Sequence, residues 1–306
     1  MLNLKVVKAS LILAFIGITG CTTTTASVEP VASKQIDNLI IGEPAPADVM
    51  NQRALVRISQ VLAHVEDMTD EQRAELLYQR GKIYDGFGLR GLAQFDFETA
   101  LRFKPNLAEA YNFLGIHHTQ NRDYVDAYQA FDSALEIDPE HDYAFLNRGI
   151  ALYYGGRPEL AVNDLRAFYS KDEEDPYRAL WIYIADREVD ADNALSNLRT
   201  IRAKLNDNYW ATKIVDFYLG DINKQDLLSI ITHGIETPEQ LTKRLCEVYF
   251  YLGKYFSAED EVGVASSYFK LTLSTNVYQY VEHRYARLEL SLLREKNFEE
   301  RKALQP

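Results

Sequence analysis

Cysteine and basic residues are scarce in this chain of 306 residues. Only two cysteines are present, Cys21 and Cys246. Lysine and arginine together number 33 against 45 aspartate and glutamate residues, so the formal net charge is −12. Nucleic acids and anionic membrane surfaces attract basic protein faces, so this balance argues against both as partners. The sequence also has no long apolar segment beyond its first twenty residues, which excludes a protein with several membrane-spanning helices.

The first twenty residues have the layout of a secretory signal peptide. Lys5 and Lys8 are followed by a mostly apolar stretch at 9–19, and Gly20 comes directly before Cys21. Small residues ahead of a cysteine resemble the bacterial lipobox, in which the cysteine is acylated, palmitate included, and becomes the new N-terminus. We therefore expect residues 1–20 to be removed and Cys21 to be lipidated. The alternative is an ordinary signal peptide with a cysteine at its end by chance.

The residue after the lipobox cysteine indicates a destination. It is Thr22 rather than the aspartate that commonly retains such lipoproteins in the inner membrane. By this resemblance we expect the outer membrane, with the protein facing the periplasm. The mature chain would then keep only Cys246 besides the lipidated cysteine, so no internal disulfide is expected in that oxidising compartment. Cys246 lies in an apolar stretch and is predicted to be a small buried side chain.

Helical periodicity begins at residue 49. The preceding segment, 21–48, contains four consecutive threonines and three prolines, so it is predicted to be a lipidated, flexible tether. Residues 49–73 are predicted to form N-terminal helices. No alternation with a period of two residues is sustained anywhere, so we expect the fold class to be all-α.

Two helix starts can be placed from side chains alone. Thr69 with Gln72 has the spacing of a capping box, in which each residue bonds the backbone N–H of the other. Thr237 with Gln240 repeats this arrangement and adds Pro238 at the first helical position.

Small and aromatic residues recur at intervals of 34. The recurring sets are Gly81, Gly115 and Gly149; Ala93, Ala127 and Ala161; Tyr84, His118 and Leu152; and Phe97, Phe131 and Leu165. This period and this residue set resemble the tetratricopeptide repeat (TPR), a pair of antiparallel helices A and B. Small residues allow the paired helices to cross closely, and larger ones fill the space between them. The sequence therefore predicts a TPR-type solenoid of helical hairpins.

The repeats are predicted to form two blocks. Repeats 1–3 are placed at 74–175 and repeat 4 at 246–279. The third and fourth repeats are not separated by a multiple of 34 residues, so the intervening segment, 176–245, is predicted to form irregular, degenerate helical repeats. Residues 280–306 are predicted to form a C-terminal capping helix and tail, because the end of a solenoid needs a polar outer face.

The A helices of a TPR array typically line a groove that takes a peptide or a partner helix. The positions predicted to face this groove are Tyr78, Lys82, Asp85, Asn112, Ile116, Thr119, Tyr143, Leu146, Ile150, Tyr153 and Tyr154. Their aromatic and weakly polar character is that of a protein-binding hot spot. Tyr78 and Lys82 stand where carboxylate-clamp TPRs have lysine and asparagine, so no such clamp is expected there. The alternative is that several of these tyrosines simply pack between repeats.

The usual motifs of catalysis are missing from the sequence. It contains no Gly-x-Ser-x-Gly elbow, no phosphate-binding glycine loop and no His-Glu-x-x-His. His117 and His118 are adjacent and would point about 100° apart on a helix, so structural roles are favoured. The acidic run at 172–175 lacks the spacing of a calcium loop and is predicted to be a turn. We therefore expect neither enzymatic activity nor a metal or other cofactor.

Four segments carry a more specific resemblance. They are LLYQRG at 76–81, NRGIALYYGGR at 147–157, FYLGKY at 250–255 and VEHRYA at 281–286. The chain is similar in these segments, and over most of its mature length, to the NlpI family of bacterial outer-membrane lipoproteins. The resemblance implies a periplasm-facing homodimer that brings a murein endopeptidase to a tail-specific protease for degradation. It also implies a scaffold that holds other peptidoglycan hydrolases together.

Two other functions stay open. A TPR lipoprotein that helps to assemble a pilus, a secretin or outer-membrane barrels would share the lipobox and the repeats, although its array is usually more continuous. A cell-wall lytic enzyme with a helical body is the other alternative, but no catalytic domain follows the repeats.

Overall fold

The computed structural model describes residues 39–64 and 68–303, and within these ranges it contains helices and no strand. The predicted signal peptide, Cys21 and residues 22–38 of the predicted tether lie outside the described residues. The helices are α1 Val49–Leu62, α2 Asp70–Gly86, α3 Arg90–Phe103, α4 Ala108–Asn121, α5 Tyr124–Ile137, α6 Asp142–Tyr154, α7 Pro158–Tyr169, α8 Pro176–Val189, α9 Ala191–Arg202, α10 Thr212–Tyr218, α11 Lys224–Ile230, α12 Pro238–Ala258, α13 Val262–Ser274 and α14 Val281–Ala303. None of these helices is both long enough and apolar enough to span a bilayer.

Both predicted capping boxes are present. Thr69 Oγ1 accepts a hydrogen bond of 3.2 Å from the backbone N–H of Gln72, whose side-chain Oε1 accepts one of 3.0 Å from the backbone N–H of Thr69. Thr237 and Gln240 form the same pair at the start of α12, with Pro238 as its first residue. These bonds satisfy N–H groups that the first helical turn leaves unpaired.

The helical hairpins are built around glycines at the crossing point of each A and B helix. A Cβ atom added at Gly81, Gly115 or Gly253 would lie 2.6 Å from the ring of the phenylalanine sixteen residues later, and one at Gly149 would lie 2.8 Å from Leu165. The pairs α2/α3, α4/α5, α6/α7 and α12/α13 therefore share one packing geometry. The TPR-type all-α fold predicted from the 34-residue period is confirmed.

Shorter helices separate the third and fourth hairpins, as the irregular spacing predicted. Helices α8 and α9 still form an antiparallel pair, but α10 and α11 have only seven residues each. Trp181 on α8 is 2 % exposed and packs between Tyr153, Phe250 and Tyr285. This middle segment thus belongs to the hydrophobic core that joins α6 to α14.

Residues 39–48 are bound to the body of the protein. The backbone N–H of Ala45 donates to the carbonyl oxygen of Thr275 at 2.7 Å, and Thr242 Oγ1 donates to the carbonyl of Glu43 at 2.7 Å. The hydroxyl of Tyr249 donates to the carbonyl of Ile40. The last ten residues of the predicted tether are therefore fixed on α12 and the end of α13, and are not a flexible link.

Cys246 and the acidic run have structural surroundings. Cys246 is fully buried in α12, and burial raises the pKa of its thiol well above the usual range. The run at 172–175 lies between α7 and α8, where the Asp175 carboxylate accepts a bond from the backbone N–H of Tyr177 at the start of α8. The described residues contain no group of three or more histidine, cysteine, aspartate or glutamate side chains placed to hold a metal ion.

Candidate functional site

The first helices of the hairpins, α2, α4, α6, α8 and α12, present one common side, which we call the A-helix face. The last helix, α14, lies along this face. Side chains of α14 contact all five of these helices. The contacts are Arg284 with Asp85, Arg284 with the ring of Phe113, Glu289 with Tyr154, Tyr285 with Trp181, and Glu282 with Tyr251. The chain's own terminal helix therefore fills much of the surface that the TPR pattern predicted to be open.

This placement of α14, together with packing between neighbouring hairpins, accounts for the burial of the predicted groove residues. Seven of them are buried and less than 10 % exposed: Tyr78, Asp85, Asn112, Ile116, Thr119, Leu146 and Ile150. Tyr153 and Tyr154 are partly buried, and only Lys82 and Tyr143 of this set are exposed. The seven buried residues contact neighbouring helices of the fold, so they are not available to a partner. The contacts with α14 could not be predicted, because a repeat pattern describes neighbouring hairpins and not a helix more than 130 residues away.

One polar cluster joins α2, α4 and α14. The Asp85 carboxylate lies 2.5 Å from the Arg284 guanidinium and 2.8 Å from His117 Nε2. Burial opposes the charge on Asp85, but Arg284 and the hydrogen bond to His117 outweigh it and hold the pKa of Asp85 below its ordinary value. His117, which was assigned a structural role from the sequence, is 2 % exposed and serves this cluster.

A second polar cluster joins α6, α12 and α14. Lys254 Nζ lies 2.6 Å from Glu289 Oε1 and donates to the Tyr153 hydroxyl at 2.7 Å, while the Tyr154 hydroxyl donates to Glu289 at 2.6 Å. Burial disfavours the charge on Lys254, but Glu289 and Tyr153 outweigh it and raise the pKa of this lysine. Two of the predicted groove tyrosines thus hold a buried ion pair.

Lys254 and Glu289 were missed by the sequence interpretation. A signal for them exists, because Glu289 follows Tyr285 and precedes Leu293 at four-residue steps along the apolar stripe of α14. A charged residue in such a stripe indicates a buried partner. Lys254 directly follows Gly253, the crossing glycine of the fourth hairpin, and therefore lies near a close helix contact.

Two further carboxylates are held in a poorly solvated environment between α8, α12 and α14. Burial raises the pKa of Glu282 to about 7, although the Tyr251 hydroxyl donates to this carboxylate at 3.1 Å. Burial, together with the charge of Glu282, raises the pKa of Glu247 to about 8. Both groups therefore hold protons over part of the neutral range in the folded protein.

Comparison with known proteins agrees with this architecture. No family model matches the chain. A TPR protein from Parabacteroides merdae has 18 % sequence identity over 80 % of this chain and 94 % of its own length, with a TM-score of 0.51. Matches of lower TM-score include the C-terminal part of a TPR protein from Cytophaga hutchinsonii, with 15 % identity over 74 % of this chain and 90 % of that one and a TM-score of 0.45. Another is pilF of Pseudomonas aeruginosa, with 16 % identity over 78 % of this chain and 90 % of that one and a TM-score of 0.40. At 18 % identity, the similarity to the Parabacteroides merdae protein shows the fold alone.

Proposed function

We propose that this TPR protein is a non-catalytic adaptor of the bacterial outer membrane. In this proposal it binds a tail-specific periplasmic protease and peptidoglycan hydrolases, and so promotes degradation of a murein endopeptidase. The observation that carries the proposal is the TPR array itself, since stacked hairpins supply an extended, rigid surface for protein partners. Holding two clients on one scaffold raises their local concentration without any catalytic group. The named clients come from the resemblance to the NlpI family.

The proposed anchor is a lipid on Cys21. Three acyl chains would hold the protein permanently, because even a single chain gives measurable membrane binding and each buried methylene adds about 0.8 kcal/mol. The segment at 39–48, which is bound to α12 and the end of α13, would then follow this anchor in the chain. Labelling of cells with a palmitate analogue should mark the wild-type protein and not Cys21→Ser, which should leave the membrane fraction.

The proposed homodimer would use α1. None of the residues of this helix is buried, and its apolar side chains Val49, Met50 and Val56 are 56 %, 69 % and 59 % exposed. An amphipathic helix of this kind needs an apolar partner surface, and a second copy of α1 offers one of matching character. Analytical ultracentrifugation should show a dimer for the wild type and a monomer for Val56→Asp. A dimer that survives this change would place the contact elsewhere.

The proposed function is tested by the amount of a client in cells. Deletion of the gene should raise the level of a murein endopeptidase while its transcript stays unchanged, and the wild-type gene should restore the level. An unaltered protein level would contradict the proposal. Loss of pili, or of outer-membrane barrel proteins, would instead favour the alternative of an assembly factor for an envelope machine.

A further inference from the structure

An arginine-rich cavity lies at one end of the A-helix face, beside the α2–α3 turn, the end of α4 and the first turns of α14. Its volume is about 260 Å³, and its charged lining consists of Arg90, Arg122, Arg284 and Arg287 with a single carboxylate, Asp85. His283 also lines it, but burial lowers the pKa of His283 to about 4, so this ring is neutral at physiological pH. Such a concentration of positive charge contrasts with the net charge of −12 of the whole chain.

Two of the four arginines are already neutralised by carboxylates. Arg284 pairs with Asp85 at 2.5 Å, and Arg122 pairs with Glu295 at 2.5 Å. Arg90, in contrast, donates only to the neutral amide oxygen of Gln120, at 3.0 Å. Arg287 forms no ion pair with a carboxylate of the described residues. The cavity therefore holds two guanidinium groups that form no close ion pair with a described carboxylate, although Asp85, which is paired with Arg284, also attracts Arg90.

These two guanidinium groups repel each other. Burial, and next the positive charge of Arg287, lower the pKa of Arg90, and the opposing attraction of Asp85 does not outweigh them. A carboxylate placed between them would replace this repulsion by charge-assisted hydrogen bonds, for which the planar guanidinium group is well suited. The electrostatics of the cavity thus favour a ligand with a negatively charged oxygen group.

One side of the cavity is apolar and is formed by Leu273, Leu288 and the ring of Tyr278, whereas Gln120 and Ser291 add neutral polar groups to the lining. Gly88 has a φ of +73°, and a Cβ atom there would lie 2.7 Å from the Tyr278 ring. The absence of a side chain at Gly88 therefore lets this ring approach the α2–α3 turn and close the apolar side. An apolar wall beside two guanidinium groups fits an aliphatic or aromatic side chain next to a carboxylate.

We propose that this cavity binds the C-terminal carboxylate of a peptide or protein whose last side chain is apolar. Arg90 and Arg287 hold the carboxylate, and the apolar wall receives the last side chain. The volume admits a chain end and not a folded surface. The site is distinct from the A-helix positions of a carboxylate clamp, because it is built from the hairpin turn and from α14. This inference rests on the proposed scaffold function in one respect, namely that the ligand is a peptide or a protein.

Fluorescence anisotropy with the full-length lipoprotein in detergent tests this inference. The probes are fluorescein-labelled hexapeptides that end in leucine, valine or phenylalanine, each as the free acid and as the C-terminal amide. At least one free acid should bind saturably, and its amide should bind about tenfold more weakly or worse, because a charge-assisted bond is lost. Arg287→Gln and Arg90→Gln should each weaken the free acid to a similar extent.

Two variants serve as controls. Arg199→Gln removes the same charge from an exposed arginine on α9 that pairs with Asp221 outside the cavity, so it should leave the affinity within about twofold of wild type. Arg287→Lys keeps the positive charge but loses the planar guanidinium group with its paired N–H donors. Its affinity for the free acid should therefore lie between those of the wild type and Arg287→Gln.

Equal binding of acid and amide, or no saturable binding by any of the three acids, would overturn the inference. Displacement of the bound acid by inorganic phosphate at lower concentration than by acetate would also overturn it, since the site would then be a phosphate site. None of these results bears on the endopeptidase level in the deletion strain, so the inference and the proposed function can fail separately.

Discussion

Four glycines set the distance between the paired helices. Each of them, Gly81, Gly115, Gly149 and Gly253, faces a large side chain of the B helix that is itself almost fully buried. A buried ring cannot move aside cheaply, because protein interiors are packed as densely as organic crystals. At these positions the lack of a side chain, and not backbone freedom, is what the fold requires.

Gly115→Ala should therefore destabilise the protein although alanine is the better helix former. The added methyl group would lie 2.6 Å from the Phe131 ring, and overpacking of this kind costs about 1–3 kcal/mol. Gly91→Ala is the matched control, because nothing lies within 4 Å of its Cβ position, and it should stabilise α3 by about 0.5–1 kcal/mol. Urea denaturation of both variants checks the prediction, and a Gly115→Ala protein as stable as Gly91→Ala would refute it.

Glu282 should make the protein less stable as the pH rises. Its pKa is about 7 in the folded state and near 4.3 when unfolded, so between these values the folded state binds the extra proton. Stability from this group is fully present below about pH 4.3 and is lost as the pH rises to about 7, a loss of about 4 kcal/mol. Unfolding free energies at pH 5 and pH 8 should differ less in Glu282→Gln than in the wild type. An exposed control, Glu136→Gln, changes the net charge equally; if it flattened the pH dependence just as much, the assignment to Glu282 would be wrong.

At the scale of elements, α14 determines what the A-helix face can do. Repeats 1–4 and the irregular middle follow from the 34-residue period, the glycines and the capping boxes, because these depend on residues close in sequence. The position of α14 depends on pairs such as Arg284 with Asp85, 199 residues apart. No local pattern contains that information, so the burial of Asp85 against α14 could not be predicted, whereas Ile116 is buried by Ala127, Phe131 and Ala151 of the neighbouring helices. The bound segment at 39–48 was missed for the same reason, since its partners lie about 200 residues away.

The ion pair between Lys254 and Glu289 should couple α14 to α12. Both side chains are less than 10 % exposed, so Lys254→Met leaves a buried carboxylate without its cation and should cost about 3–5 kcal/mol. The double variant Lys254→Met/Glu289→Leu removes both charges and should recover most of that loss. Thermal denaturation of the single and double variants measures the coupling, and strictly additive losses would mean that the pair does not link the two helices.

At the scale of the whole molecule, a TPR array is closed by its own last helix and carries an arginine-rich cavity at one end, and the proposed lipid anchor would precede this body in the chain. The acidic net charge keeps this body away from anionic surfaces, while the cavity offers one local positive site. The fold class could be predicted from sequence, whereas the open binding surface could not, because α14 covers the helices that usually provide it. Any partner surface must therefore lie outside the seven buried positions.

The most direct test of the adaptor function is the half-life of a purified murein endopeptidase in the presence of the tail-specific protease. The concentration of each enzyme is kept below the dissociation constant of the complex between the two enzymes. The experiment is done with and without a stoichiometric amount of this protein. Scaffolding can raise the effective affinity by about 10²–10⁴-fold, so the account predicts that the half-life falls at least about tenfold when the protein is added. An equal half-life with and without it would contradict the account.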